Sequence, residues 1–273
     1  MPTLHATDGT DIYYNVWGSG PPIVLIHGWP LDADMWEYQA PVLAAAGYRV
    51  ISYDRRGFGR SGQPWSGYDY DTLAGDLNSL METLDLRDAT LVGFSMGGGE
   101  VARYFGKHGG ARVSKAVFVS AVTPFLLQTS DNAEGVPQST FDEIVDGLRE
   151  DRPHFLAGFG KKFFGAGMLN FNVSSELLQW TLQVAMLASP KATIDCVQAF
   201  SATDFRADLA RITVPTLVIH GDSDNTVPMD ASGRRTAAMI PGATLLVYEG
   251  APHGLFYTER ARLNQDLLAF IRG

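Results

Sequence analysis

A five-residue segment, Gly93-Phe94-Ser95-Met96-Gly97, constrains the fold of this chain more than any other feature. It follows a short apolar run, Thr90–Val92, that is typical of a buried strand, and it precedes a helix-compatible stretch, Gly98–Lys107. A strand that turns sharply into a helix leaves no room for side chains at the two flanking glycines, and it lifts the serine hydroxyl clear of the sheet. The segment therefore predicts a sheet with packed helices and a nucleophilic serine at position 95.

Apolar, β-branched runs alternate with helix-compatible stretches over most of the chain. Predicted helices at Trp36–Ala46, Tyr70–Leu84 and Gly98–Lys107 separate the early strands, and a last one covers Leu263–Ile271. Because a strand, a helix and a second strand form a right-handed crossover, this alternation predicts an α/β fold with a mainly parallel sheet flanked by helices. The eight predicted strands are Leu4–Thr7, Asp11–Trp17, Ile23–Ile26, Arg49–Tyr53, Thr90–Val92, Ala116–Val119, Thr216–Ile219 and Thr244–Tyr248.

The pattern changes between about Pro124 and Ala210, where strand signals are scarce. This region is rich in aromatic residues and contains helical patterns such as Glu176–Leu187. An insertion late in a doubly wound sheet lies over the carboxyl ends of the strands, where such folds bind ligands. The sequence therefore predicts a core made of residues 1–123 and 211–273, with a helical cap, residues 124–210, inserted in it.

A serine needs an oriented base before it becomes a good nucleophile. His253 follows the last predicted strand in a loop, and it is the histidine best placed to serve Ser95. The orienting acid should follow a late strand. Asp224 is favoured because it lies further out on its loop, whereas Asp222 is expected to form the turn and Glu249 is a weaker third choice. The other histidines, expected to be structural or at the surface, are His5, His27, His108, His154 and His220.

Two backbone amides are needed to stabilise the oxyanion that forms during acyl transfer. The residue after the nucleophile, Met96, is expected to supply one of them. The second is expected from the loop after Ile23–Ile26. There Trp29 is the predicted donor, because Pro30 has no N–H.

Composition excludes several classes of partner. The net charge of -9 argues against nucleic acid, since phosphate binding needs a surplus of Lys and Arg. No stretch approaches the about 20 apolar residues of a membrane span. Cys196 is the only cysteine, so no intrachain disulfide can form. This suits a reducing compartment and predicts a cytoplasmic location.

Several separate motifs resemble those of the cofactor-free haloperoxidases and aryl esterases of bacteria, a branch of the α/β-hydrolases. The resemblance implies the α/β-hydrolase fold, a triad of Ser95, Asp224 and His253, and an oxyanion hole formed by the amides of Trp29 and Met96. It also implies a helical lid, no metal, haem or other cofactor, and a homo-oligomer. The matching segments span nearly the whole chain: His27-Gly28-Trp29, Asp54-Arg55-Arg56-Gly57-Phe58-Gly59-Arg60-Ser61, Gly93–Gly99, His220–Asp224 and Ala251-Pro252-His253-Gly254.

The resemblance also suggests which residues lie near the substrate: Val122, Phe125, Phe159, Phe200 and Thr226. It implies a serine hydrolase of small aryl esters that works through an acyl-enzyme. We add Pro30 to the substrate-binding set, because a proline after the oxyanion donor could turn a carbonyl into the site. Such a carbonyl would help hydrogen peroxide attack the acyl-enzyme, which predicts perhydrolase activity.

Other functions remain open at this stage. A lactonase, a lactamase, a lyase or a carbon–carbon hydrolase could use the same three residues, and some chains of this fold only sense a ligand. Dehalogenases and epoxide hydrolases of this fold place an aspartate where this chain has Ser95. The segment Gly57-Phe58-Gly59-Arg60-Ser61-Gly62 matches the dinucleotide-binding pattern, but a loop follows it where that pattern requires a helix, so NAD binding is disfavoured.

Overall fold

The computed structural model describes residues 2–167 and 173–273. Its strands are β1 (Thr3–His5), β2 (Asp11–Trp17), β3 (Pro22–Ile26), β4 (Arg49–Tyr53), β5 (Ala89–Phe94), β6 (Val113–Val119), β7 (Thr216–Gly221) and β8 (Thr244–Tyr248). They form one eight-stranded sheet in the order β1-β2-β4-β3-β5-β6-β7-β8. β2 runs antiparallel to both neighbours, and the pairs from β4 to β8 are parallel. The predicted α/β-hydrolase sheet is confirmed.

The helices of the described residues are α1 (Ala40–Ala45), α2 (Tyr70–Thr83), α3 (Met96–His108), α4 (Gln138–Phe163), α5 (Ser175–Leu187), α6 (Pro190–Ala202), α7 (Arg206–Leu209), α8 (Gly233–Met239), α9 (Leu255–Thr258) and α10 (Arg260–Arg272). Apolar residues of α2 and α3 join one buried cluster, and those of α1 and α10 join a second. Over the described ranges, no helix has both the length and the apolar character that crossing a membrane requires.

Strand β5 shows that the sheet is covered on both of its faces. All six of its residues are buried. Successive side chains of a strand point to opposite faces, and Leu91 accordingly packs in one cluster while Val92 packs in the other. A parallel strand covered on both faces is apolar throughout, which is why this run lacks the alternation of a half-exposed strand.

One predicted helix, Trp36–Ala46, is wrong in its extent. A short 3-10 helix occupies Ala33–Tyr38, and α1 starts separately at Ala40. The physical reason is Pro41 in the first turn of α1, because proline has no N–H to continue a preceding helix but fits the start of a new one. The amide of Gln39 instead closes the 3-10 helix by donating to the Trp36 carbonyl at 3.0 Å.

The segment between β6 and β7 carries α4 to α7, as the scarcity of strand signals indicated. α4 bends at Asp151, which has non-helical backbone angles. The Asp151 carboxylate accepts a hydrogen bond from the His154 amide at 3.0 Å, and Pro153 lies just inside the second half of the helix. These are features of a helix start, so α4 consists of two helices in tandem.

The register of the central strands decides where the loops meet. Ile26 of β3 pairs with Gly93 of β5, and Val119 of β6 pairs with both Phe94 and Ile219 of β7. The carboxyl ends of these parallel strands therefore lie at one edge of the sheet. The loops that carry the predicted site residues start from this edge.

Candidate active site

Ser95 connects β5 to α3 and has an unusual backbone conformation for a residue with a side chain. Its φ of 52° and ψ of -117° lie outside the helix and strand regions. The turn is so tight that a Cβ on Gly93 would lie 2.5 Å from the Gly97 carbonyl oxygen, and one on Gly97 would lie 2.5 Å from that of Ile26. The Ser95 amide donates to the Val119 carbonyl of β6 at 2.9 Å, which holds the turn against the sheet.

His253 bridges Ser95 and Asp224. Its Nε2 lies 3.0 Å from the Ser95 Oγ, and its Nδ1 lies 2.6 Å from Asp224 Oδ2. The rings of Phe94 and Phe163 pack against the imidazole with centroid distances of 5.0 and 4.8 Å. The histidine is buried, and its two nitrogens are aligned between a hydroxyl and a carboxylate.

Asp224 is held by the backbone of its own loop. Its Oδ1 accepts hydrogen bonds from the amides of Thr226 at 2.9 Å and Val227 at 2.8 Å. Burial alone would raise the pKa of Asp224, but the neighbouring charge of His253 and the hydrogen bonds from His220 and His253 hold that pKa well below its usual range. The carboxylate is therefore ionised at neutral pH.

The other acidic candidates have different surroundings. Asp222 Oδ1 accepts a hydrogen bond from the Gly250 amide at 2.7 Å, so this side chain ties its turn to the loop before His253. Glu249 is exposed. Of the three acidic residues considered from the sequence, only Asp224 is hydrogen-bonded to His253 in the structure.

The remaining histidines separate into buried and exposed groups. His5, His108 and His154 are exposed, while His27 and His220 are fully buried. His220 contacts Asp224, with 3.3 Å between Nε2 and Oδ2. From the sequence, His220 was expected only to be structural or at the surface. The one feature that could have indicated its contact with Asp224 was its position at the end of the strand that leads to Asp224.

The loop after β3 is anchored from several sides. The Trp29 indole donates through Nε1 to the Thr193 carbonyl of α6 at 3.0 Å, and the Gly28 carbonyl accepts from the Leu31 amide at 3.1 Å. Met96 is the first residue of α3, so its amide has no intrahelical acceptor. The elements that carry the two predicted oxyanion donors thus meet beside Ser95, and Trp29 lines the same cavity as the serine.

A cluster of buried charged and polar side chains makes hydrogen bonds to the loop after β3 and to helix α3. The Arg55 guanidinium donates to the His27 carbonyl at 2.7 Å and pairs with Glu100 of α3, and both side chains are fully buried. Tyr70 donates through its hydroxyl to the Met96 carbonyl at 2.9 Å. Arg55, which lies two residues before the segment that formally matched a dinucleotide motif, therefore connects the loop after β3 to helix α3.

A cavity with an empty volume of about 480 Å³ opens at Ser95 and His253. Five of the residues suggested from the sequence line it: Trp29, Val122, Phe159, Phe200 and Thr226. The rest of the lining is Leu126, Val136, Thr140, Phe141, Ile144 and Val227. These side chains are mostly apolar, and helix α4 supplies three of them together with Phe159.

Two of the expected substrate-binding residues lie outside this lining. Phe125 is buried beside the Arg206 guanidinium, which lies 5.5 Å from the ring centroid. Pro30 follows Trp29 through a cis peptide bond and lines a separate cavity of about 250 Å³ with Leu156 and Phe163. Neither residue lines the cavity at Ser95, because sequence neighbours of a lining residue can point into a different space.

Known proteins with the same fold resemble this chain over its full length. Residues 21–260 match the family described as alpha/beta hydrolase fold. A non-heme chloroperoxidase of Kitasatospora aureofaciens is 45% identical, with 99% of each chain covered. A bifunctional esterase/perhydrolase of Acinetobacter calcoaceticus is 41% identical, with 97% of each chain covered. The crystal structure of a bromoperoxidase from Bacillus anthracis is 48% identical, covers 100% of both chains and has a TM-score of 0.96. The chain therefore belongs to the α/β hydrolase fold family, as an enzyme of the group that contains the bacterial non-heme haloperoxidases.

Proposed function

We propose that this protein is a serine hydrolase of small aryl esters, with Ser95 as nucleophile, His253 as base and Asp224 as orienting acid. The observation that carries the proposal is the hydrogen-bonded series from Ser95 Oγ through His253 to Asp224, with distances of 3.0 and 2.6 Å. This series lies at a turn that presents the hydroxyl to a cavity. The arrangement has the geometry that nucleophilic acyl transfer requires.

The chemistry follows from the positions of the atoms. His253 Nε2 takes the proton of Ser95 Oγ while that oxygen attacks the ester carbonyl carbon, and the amides of Trp29 and Met96 stabilise the resulting oxyanion. The protonated imidazole then gives its proton to the leaving alcohol, which leaves an acyl group on Ser95. Water attacks the acyl carbon with His253 again as base, and the carboxylic acid leaves as the Ser95 hydroxyl is restored.

The lining of the cavity is suited to a small, apolar substrate. The rings of Trp29, Phe159 and Phe200 meet edge to face, with centroid distances of 5.2 and 5.8 Å from the indole. Aromatic walls of this kind favour flat apolar groups. Because α4 and α6 supply much of the wall, we propose that residues 124–210 act as the cap.

As part of the same proposal the enzyme works in the cytoplasm as a homo-oligomer, and the buried free thiol of Cys196 suits such a compartment.

The direct test is turnover of a series of esters that share one chromogenic alcohol and differ in acyl length. Short acyl groups should be hydrolysed fastest, because the cavity is small. Ser95→Ala should lower kcat by several orders of magnitude, as expected for loss of a nucleophile, and should leave the circular dichroism spectrum unchanged. Parent protein that binds these esters without turning them over would instead be a ligand sensor.

We also propose that hydrogen peroxide can replace water as the attacking molecule. One peroxide oxygen bonds to the acyl carbon, its proton goes to His253, and a peracid leaves while Ser95 is restored. The relative named as an esterase/perhydrolase supports this proposal. The Gly28 carbonyl already accepts hydrogen bonds from Leu31 N and His27 Nδ1. Because the Gly28 carbonyl is already held by these bonds, the carbonyl that Pro30 is best placed to orient toward the peroxide is that of Trp29.

Pro30→Leu should lower the ratio of peracid formation to hydrolysis several-fold, since one hydrogen bond to the peroxide contributes on the order of 1 kcal/mol. Both rates are measured on the same small ester in parent and variant. An unchanged ratio would remove Pro30 from the explanation. A parent that forms no peracid would refute the activity itself.

A further inference from the structure

We propose that His220 is a positioning residue that shares the carboxylate of Asp224 with His253 and thereby tunes how strongly His253 holds its proton. The inference rests on the proposed ester hydrolysis by Ser95. It adds a second histidine to the proposed acid, at the same carboxylate oxygen that His253 contacts.

The contact lies at the carboxyl end of β7. His220 is fully buried, and its Nε2 lies 2.9 Å from the Val227 carbonyl oxygen and 3.3 Å from Asp224 Oδ2. The same Oδ2 receives His253 Nδ1 at 2.6 Å. One carboxylate oxygen therefore faces the ring nitrogens of two histidines.

The direction of the hydrogen bond follows from the surroundings of the ring. Both oxygens near His220 lie at Nε2, so this nitrogen carries the proton and donates. Among the described residues, Nδ1 has no hydrogen-bond partner. On that side the backbone of Gly233 in α8 passes so closely that a Cβ there would lie 2.3 Å from Nδ1. The ring is thus held with Nε2 donating to the Val227 carbonyl, and Asp224 Oδ2 is a second, longer contact of the same N–H.

Several donors therefore face the charged carboxylate of Asp224. Its titratable neighbours are His220 and His253, and the amides of Thr226 and Val227 bind its other oxygen. Ser95 and the apolar rings of Phe94 and Phe163 are the further groups around His253. A donor at His220 stabilises negative charge on Asp224, so the carboxylate attracts the proton of His253 less strongly. Removing that donor should make His253 retain its proton to higher pH.

The experiment compares His220→Met with His220→Gln. Methionine fills the space without a donor, whereas glutamine can place an N–H where Nε2 now lies. The pH profile of kcat/KM for a small chromogenic ester is measured for parent and variants. The acid-side midpoint should rise by about 0.5 to 1 pH unit in His220→Met, less than a full hydrogen bond to a charged group would give, because the contact is long. It should stay at the parent value in His220→Gln, whatever the change in kcat.

Gly233→Ala provides an independent variant that keeps the histidine. The added methyl group would push on His220 Nδ1 and displace the ring, so the same rise of the acid-side midpoint is expected. If His220→Met does not fold, Gly233→Ala decides the question. An unmoved midpoint in a folded variant without the His220 contact would overturn the inference, because a merely structural role would lower stability without moving the profile. A midpoint that rises equally in His220→Gln would also overturn it. A parent with no ester turnover would refute the proposed function instead.

Discussion

At the scale of single residues, two neighbouring carboxylates have different surroundings although the sequence places them two positions apart. Asp224 binds His253 through Oδ2 and two backbone amides through Oδ1. Asp222 accepts from the Gly250 amide and does not contact His253. The choice between them depends on the direction in which the loop turns after β7, which brings Asp224 inward.

Asp224→Asn should lower kcat/KM for small esters by several orders of magnitude, because a neutral amide neither fixes the imidazole tautomer nor stabilises the imidazolium. Asp222→Asn should cost less than about tenfold, since asparagine keeps an oxygen that can accept the Gly250 N–H and a lost hydrogen bond is worth about 1 kcal/mol. The two variants are compared at one pH with the same ester. A reversed order of severity would contradict the assignment of the acid.

At the scale of elements, the start of the 3-10 helix at Ala33–Tyr38 is held by a buried acidic pair. Asp32 caps this helix by accepting the Asp34 amide at 2.9 Å, and its Oδ2 has no hydrogen-bond partner among the described residues. Asp54 lies beside it, accepts the Ala33 amide at 2.9 Å and pairs with Arg60. Burial, followed by the charge of Asp54, raises the pKa of Asp32 to about 7.

This raised pKa predicts a pH dependence of stability. A carboxyl group whose pKa is higher in the folded protein stabilises the fold fully at pH values below its unfolded pKa of about 4. That contribution is lost as the pH rises through the folded pKa of about 7. Asp32→Asn cannot ionise and still offers a capping oxygen. Its melting temperature should therefore exceed that of the parent at pH 8.5 by more than it does at pH 5. An equal difference at both pH values would show that Asp32 does not titrate in this range.

At the scale of the whole molecule, helix α4 and residues from the loops after the strands together line the cavity at Ser95. Phe159 of α4 lines the cavity at Ser95, the smaller cavity at Pro30 and an open groove of about 1220 Å³ that also includes Lys162 and Asn225. The ring of Phe159 therefore borders all three spaces. Its removal should join them.

Phe159→Ala should extend the range of acyl groups toward longer chains. Each further methylene that fits contributes about 0.8 kcal/mol, or about a fourfold gain in kcat/KM relative to the parent. Phe125→Ala is the matched control, because it removes the same ring from a buried position outside the cavity. The measurement is kcat/KM across the ester series in all three proteins. A chain-length preference that changes equally in both variants would contradict the role of Phe159 as a wall.

The sequence by itself determined the features that rest on local patterns. The apolar runs predicted every strand of the sheet, and the glycines around Ser95 predicted the turn that the structure contains. The positions of His253 and Asp224 after late strands made them candidates, because parallel strands bring their carboxyl ends to one edge. Local breaks were harder to predict: a single proline, Pro41, divided a segment whose periodicity favoured one helix.

Only the tertiary structure decided what surrounds these residues. The contact between His220 and Asp224 depends on how tightly the loop after β7 closes. Whether Phe125 or Phe141 faces the cavity depends on how the segment after β6 and helix α4 pack on the core. The cavity contacts join residues far apart in the chain, and an apolar side chain obeys the same burial preference in a cavity wall as in the core. Local periodicity therefore distinguishes buried from exposed positions. Whether a buried side chain lies in the cavity wall or in the core is decided only when helix α4 packs against the sheet.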